Sequence, residues 1–177
     1  MNSENAVAEK YEMSGFKFLI EKFSECHQTP SLPDICGWLG EANFTNEEFE
    51  PYRRFSEEKY MRNLVFRNDF VEILVLGWIP EQESLIHDHD GSHGVVRVFE
   101  GSIVETKFHW DEDMKIRKGE QLEATKGMMT SVGEPDIHHL KNTSAQNSLT
   151  VHVYAPPLKR LHIFKEGSSE VEIIELY

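Results

Sequence analysis

The sequence predicts a mainly β chain, an antiparallel barrel or sandwich behind a short helical N-terminal region. Three observations carry that prediction. Beyond about residue 60 the chain divides into β-rich stretches of about four to eight residues, separated by Gly, Pro, Asn or Asp. No helical period interrupts those stretches. The first third instead repeats apolar residues at three- and four-residue spacing. With 177 residues, a single domain over 1–177 is expected, with about 1–55 as a helical cover and about 60–177 as the β-barrel.

The elements follow in order. Phe16, Leu19, Ile20 and Phe23 would share one face of a helix running from Tyr11 to about His27. A second helix is expected from Pro33 to about Leu39, with Ser31 or Asp34 capping its start. Thr45 and Glu48 have the spacing of a capping box and open a third, short helix. Strands are predicted at 71–78, 95–99, 103–109 and 149–154, and further ones near 64–67, 85–89, 128–132, 137–142, 161–164 and 171–174.

Composition narrows the function. Hydrophobic residues make up 39% and charged residues 28%, the mixture of an ordinary globular chain. Thirty-one acidic against 18 basic residues give a net charge of -13, which repels phosphate backbones and anionic lipid and argues against nucleic acid or a membrane as partner. No apolar run approaches the ~20 residues of a spanning helix. The polar N-terminus MNSENAVAEK lacks the layout of a secretory signal. Cys26 and Cys36 are too few for a disulfide framework and fit a reducing compartment, so a cytoplasmic location is expected. Nine histidines ask for chemistry.

The sharpest local feature is Ile86-His87-Asp88-His89-Asp90-Gly91-Ser92-His93. In a strand, His87 and His89 point the same way, roughly 6–7 Å apart, so that both imidazoles can reach one metal ion. A third ligand must come from another strand, and His138 and His139 are the candidates. In 149–154, Leu149, Val151 and Val153 share one strand face while Thr150, His152 and Tyr154 share the other. The second face reads as hydroxyl, imidazole and phenol in a hydrogen-bond chain that fixes the His152 tautomer and the direction of the Tyr154 hydroxyl.

His-x-His followed by Gly94 and Gly101, with a later histidine four positions before Asn142, resembles the paired motifs of cupin β-barrels, which implies a jelly roll. Most cupins place a glutamate ligand at the position of Gly94. Here no carboxylate stands there, so the resemblance implies three neutral histidines. Such a unit is one charge more positive than a 2-His-1-carboxylate site. It favours an anionic ligand, and a thiolate is the natural soft one, because a coordinating cation deprotonates a thiol of ordinary pKa about 8.5.

Within the cupins the chain resembles the cysteine dioxygenases from about Tyr60 to Phe164. The matching segments are Tyr60-Met-Arg62-Asn-Leu64, Trp78 nine residues before His87, the Ile86–His93 stretch, Ile137-His138-His139-Leu-Lys-Asn142, and Leu149-Thr-Val-His152-Val-Tyr154-Ala-Pro-Pro157. The resemblance implies one Fe(II) per chain held by His87, His89 and His138, leaving His139 in a variable position. It implies that Arg62, supported by Tyr60, grips the substrate carboxylate through two parallel charge-assisted hydrogen bonds. Tyr154 and His152 would stand beside the iron, with Thr150 where the family has serine and Trp78 as a pocket wall. The implied reaction converts L-cysteine and O2 to cysteine sulfinate. Bacterial relatives that prefer 3-mercaptopropionate carry glutamine at the position of Arg62, so Arg62 points towards cysteine.

In the animal enzymes a cysteine at the position of Gly94 forms a thioether with the tyrosine matching Tyr154. With Gly94 there and both cysteines in the helical region, no such crosslink is expected. The Ala155-Pro156-Pro157 step invites a cis bond before Pro156. His93 is expected past the turn or facing away from His87 and His89, while His27, His109 and His162 read as plain surface or core histidines. The implied partners are a small thiol and O2, with the chain a monomer. Rival readings are a dioxygenase for 3-mercaptopropionate or another small thiol, a cupin that binds metal or ligand without turnover, and a hydrolytic zinc site. The Thr150–His152–Tyr154 face joined to Arg62 favours the oxygenase, since neither a binding module nor a zinc hydrolase needs it.

Overall fold

The computed structural model describes residues 13–132 and 136–176. Phe16, Leu19 and Phe23 fall on the buried side of α1 (Gly15–Ser24), as the apolar spacing requires. The residues where this helix was expected to begin, Tyr11 and Glu12, lie outside the described residues, and it ends at Ser24 rather than near His27. Ser31 and Asp34 cap α2 (Leu32–Glu41) reciprocally, each side chain meeting the other's backbone N–H at 3.3 Å. Glu48 does the same at the start of α3 (Asn46–Phe49), accepting from the Thr45 N–H at 3.0 Å. Its carboxylate also accepts from the N–H groups of Gly15 and Phe16 at 3.0 and 2.8 Å, so one capping acid ties two helix starts together. A short 3₁₀ turn at Glu50–Tyr52 leads into the strands.

Among the described residues eleven strands follow: β1 (Met61–Arg67), β2 (Glu72–Trp78), β3 (Ile86–His87), β4 (His93–Glu100), β5 (Ser102–Trp110), β6 (Ile116–Thr125), β7 (Met129–Val132), β8 (Ile137–Lys141), β9 (Ser148–Ala155), β10 (Arg160–Phe164) and β11 (Val171–Glu175). They form two antiparallel sheets, ordered β1-β2-β9-β4-β7 and β11-β10-β3-β8-β5-β6. The predicted mainly β architecture is present. Among the described residues, no helix is long and apolar enough to cross a membrane.

Two differences have physical causes. β6 was not anticipated, because Arg117 to Glu123 are exposed and the stretch lacks the apolar alternation of a half-buried strand; it is held by its ladder to β5. β3 was expected over 85–89 but stops at His87, where the chain turns through left-handed Asp90 (φ 44°) and Gly91 (φ 90°).

β2 and β9 are buried along their whole length, and that explains their continuous apolar texture. Ile73, Val75, Leu149, Val151 and Val153 face outwards into one core with Phe16, Leu19, Phe23, Ile35, Leu39 and Phe49 of the helices. Leu74, Leu76, Trp78 and Tyr154 face inwards between the sheets with Ile103 and Leu140. Each such fully buried aliphatic or aromatic side chain contributes about 1.5–3 kcal/mol, so the helices stabilise the back of the sheet whose front carries the site. The Ala155–Pro156 peptide bond is cis.

Candidate metal centre and substrate cavity

His87 on β3 and His138 on β8 are direct cross-strand partners, and their side chains therefore share a face. His89 stands two residues past the end of β3, yet its ring joins them. Ring centroids are 4.7 Å apart for His87 and His138, 4.9 Å for His89 and His138, and 5.1 Å for His87 and His89. All three are buried, and one ring nitrogen from each lies within 4.8 Å of the others.

Hydrogen bonds set the ring tautomers. His87 Nδ1 donates to the Leu85 carbonyl at 2.8 Å, which leaves Nε2 with its lone pair. His138 Nδ1 donates to Glu105 Oε1 at 2.7 Å, an oxygen that Lys107 Nζ also meets at 3.1 Å. His138 Nε2 then faces His89 Nε2 at 3.3 Å. His89 Nδ1 is buried and has no hydrogen-bond partner among the described residues. Burial pushes the His87 pKa down to about 4 and holds His89 and His138 well below their ordinary value, aided by charge among the histidines, so all three rings are neutral at pH 7.

Three neutral imidazoles aimed at one point, two of them fixed through Nδ1 by a carbonyl and a carboxylate, fit a divalent transition metal. Among the described residues, no carboxylate joins this group. Gly94 is why none can enter from β4: a Cβ there would lie 2.9 Å from His89 Cε1 and 3.4 Å from Tyr154 Cε1. The glycine gives the His89 ring its space.

A cavity of about 560 Å³ opens beside His87, lined by Tyr60, Arg62, Trp78, His152 and Tyr154 and walled by apolar residues that include Leu76, Leu161, Ile174 and Leu176. Along its back runs the expected chain. Trp78 Nε1, which can only donate, gives its proton to Thr150 Oγ1 at 2.9 Å. The Thr150 hydroxyl proton is left for His152 Nε2 at 2.8 Å. His152 Nδ1 therefore carries the ring proton and donates to the Tyr154 oxygen at 3.1 Å. That leaves the phenolic proton of Tyr154 for a partner in the cavity. Burial, then the Arg62 charge, pushes the His152 pKa down to about 3, and burial raises Tyr154 above the ordinary phenol value. Both side chains are neutral.

Tyr60 stacks on Trp78 at 4.3 Å. Arg62 lies 4.0 Å from Glu72 Oε1, and Glu72, wholly buried, meets Arg67 at 3.4 Å through its other oxygen. Asn142 braces the wall by donating to the carbonyls of Trp78 (3.3 Å) and Gln146 (2.8 Å). The nine residues singled out from the sequence, Tyr60, Arg62, Trp78, His87, His89, His138, Thr150, His152 and Tyr154, thus converge.

His139, the alternative third ligand, points to the other side of β8, meets Glu83 at 3.2 Å and lines a separate cavity of about 490 Å³. His93 opens β4 past the turn, opposite Ala155. His162 is no plain surface or core histidine: its Nδ1 lies 3.0 Å from the Asp88 carboxylate. Sequence reasoning also missed Glu105, Lys107 and Glu72. Glu105 was findable, since it shares the inward parity of Ile103 in a predicted strand, and an acid there needs a buried partner.

Comparison with known proteins gives the family and the fold. A cysteine dioxygenase type I family profile matches residues 39–167. Cysteine dioxygenase type 1 of Bos taurus is 28% identical over 124 residues, 67% of this chain, and the match spans 62% of that relative's length. The Danio rerio protein of the same name is 24% identical over 170 residues, 89% of this chain and 83% of its own. A Klebsiella pneumoniae protein described as having a double-stranded β-helix domain superposes with a TM-score of 0.54 at 18% identity, covering 70% of this chain and 92% of its own, and so supports the cupin-type fold. The triad, the hydrogen-bond chain, Tyr60 and Arg62 all fall inside the profile's span, and the chain belongs to the cysteine dioxygenase type I family.

Proposed function

We propose that the protein is an iron(II)-dependent thiol dioxygenase whose substrate is L-cysteine and whose product is L-cysteine sulfinate. The overall change is balanced, RSH + O2 giving RSO2H. The observation that carries this reading is a triad of neutral imidazoles whose member His87 lines the same cavity as the Arg62 guanidinium and the Tyr154 phenol, whose proton faces inwards.

His87, His89 and His138 would hold the iron, which when bound supplies a redox-active Lewis acid that acidifies the thiol and activates O2. Arg62 binds the substrate carboxylate through its planar fork, with Tyr60 beside it and stacked on Trp78. Holding the carboxylate there orients the rest of a small thiol towards His87 on the same cavity wall. Tyr154 donates its phenolic proton into the cavity, and His152 and Thr150 keep that proton pointed there. Trp78 and the apolar walls exclude bulk water from the reacting sulfur.

The test is oxygen uptake by protein loaded anaerobically with Fe(II) and offered cysteine, 3-mercaptopropionate and cysteamine in turn. Uptake is expected with cysteine, with stoichiometric sulfinate. Uptake with 3-mercaptopropionate alone would overturn the reading of Arg62. Absence of uptake with every thiol would overturn the dioxygenase reading in favour of a binding module.

A further inference from the structure

The strand that should aim His89 ends at His87, two residues too early. Something other than the sheet ladder must orient the ring. The residue between the two histidines, Asp88, is buried, and its contacts run towards β10, where His162 lies.

Asp88 N–H donates to the His162 carbonyl at 3.1 Å. The Asp88 carboxylate accepts from the His162 backbone N–H at 3.3 Å and from His162 Nδ1 at 3.0 Å. It also accepts from the Asp90 N–H at 3.2 Å, which folds the chain back around it. His162 Nε2 stands 3.7 Å from Asp90 Oδ1, and Asp90 pairs with Arg160 on the same strand. The turn closes with the Ser92 N–H on the His89 carbonyl at 3.2 Å.

Resting on the metal-centre reading above, we propose that His162 is a positioning residue. It buckles Asp88 to β10 and so holds His89 towards His87 and His138 after the strand has ended. The same buckle keeps the Asp88 carboxylate turned away from the three imidazoles, so that an acid adjacent in sequence to two ligands does not become a third kind of ligand. Without His162 Nδ1 a nearly buried carboxylate loses its side-chain donor, and the His89 segment is left with the more exposed Asp90–Arg160 pair as its side-chain pairing to β10 among the described residues.

The test titrates metal-free protein with Co(II) and follows the visible absorption band and its saturation. His162→Phe keeps the ring volume but removes the donor, and it should raise the Co(II) dissociation constant roughly 10–100-fold and change the band shape. His162→Asn places an amide N–H near the position of Nδ1 and should recover affinity to within about threefold. The thermal midpoint of the metal-free protein is read in parallel, because a purely structural role would lower it alike in both variants and leave the band unchanged. If His162→Phe does not fold, Asp88→Asn removes the charge from the same bond and should weaken Co(II) binding in the same direction. Unchanged affinity and band shape in His162→Phe, or equal losses in the two His162 variants, would overturn the inference while leaving the metal centre standing. Failure of the wild-type protein to bind Co(II) would overturn the metal centre itself.

Discussion

Acidifying the metal-free protein should unfold it through histidines that the fold keeps neutral. His152 has an ordinary pKa of 6.5 and is pushed down to about 3 by burial and then by the Arg62 charge; His87 is pushed down to about 4, again chiefly by burial. In the unfolded chain both rings take up a proton near pH 6.5, whereas in the folded chain they stay neutral well below that. Between these values the unfolded state holds more protons, so stability is complete above about pH 6.5 and falls as pH falls. At pH 5.0 each of these two rings has lost about 2 kcal/mol, from 1.5 pH units at 1.36 kcal/mol each, or about 4 kcal/mol together, and His89 and His138, also held low by burial, act in the same direction. For a chain of this size His87 and His152 alone correspond to a drop of about 8–16 °C in the thermal midpoint between pH 7.5 and pH 5.0. Tryptophan fluorescence on heating, with Trp78 buried in the site, measures it. His152→Gln removes one of these contributions and should show a fall smaller by about 2 kcal/mol. A midpoint that does not move, or equal pH slopes in the two proteins, would refute the neutral buried histidines.

Four further outcomes are expected. Arg62→Ala should raise the KM for cysteine roughly 10–100-fold, from loss of about 1.5–3 kcal/mol of charge-assisted pairing, while iron content and the KM for cysteamine stay as they are; steady-state oxygen uptake with both thiols checks this. His138→Ala removes the ring that Glu105 orients and should abolish iron retention after desalting, read by metal analysis; full retention would overturn the ligand assignment. At Gly94, the added methyl of Gly94→Ala would press on His89 at 2.9 Å and should weaken metal binding by about 1–3 kcal/mol, as metal titration reads it. The wild-type intact mass should equal the sequence mass, since Cys26 and Cys36 are free thiols packed against the helix-side core while Tyr154 lies in the core between the sheets; a mass two hydrogens light in a Tyr154 peptide would refute this.

Much of this was legible in the sequence because it depends on short-range pattern. Capping pairs at Ser31/Asp34 and Thr45/Glu48 announced helix starts, and the period-2 pattern of 149–154 separated Val151 from His152 before any coordinates did. β6 was illegible because a strand held only by its neighbour's ladder needs no apolar face. The choice between His138 and His139 could not come from adjacency; it follows from the register that sets His138 opposite His87. His-x-His was correctly singled out, although strand alternation does not reach His89, whose direction comes from Asp88 and the turn beyond it. Glu105, the partner of His138, and His162, the partner of Asp88, lie 33 and 74 positions away from them, and such pairings are visible only once the sheets are assembled.

β9 has two duties. Its odd-numbered residues Leu149, Val151 and Val153 are gripped by the helices, and its even-numbered residues Thr150, His152 and Tyr154 relay a proton orientation to the cavity. Loosening the helix layer, by trimming Phe23 or Leu39 for example, shifts the backbone that spaces those three polar groups. Distance from the reacting centre is therefore a poor guide to which substitutions are silent. A survey of variants by turnover alone will score damage to the rear packing as damage to the chemistry.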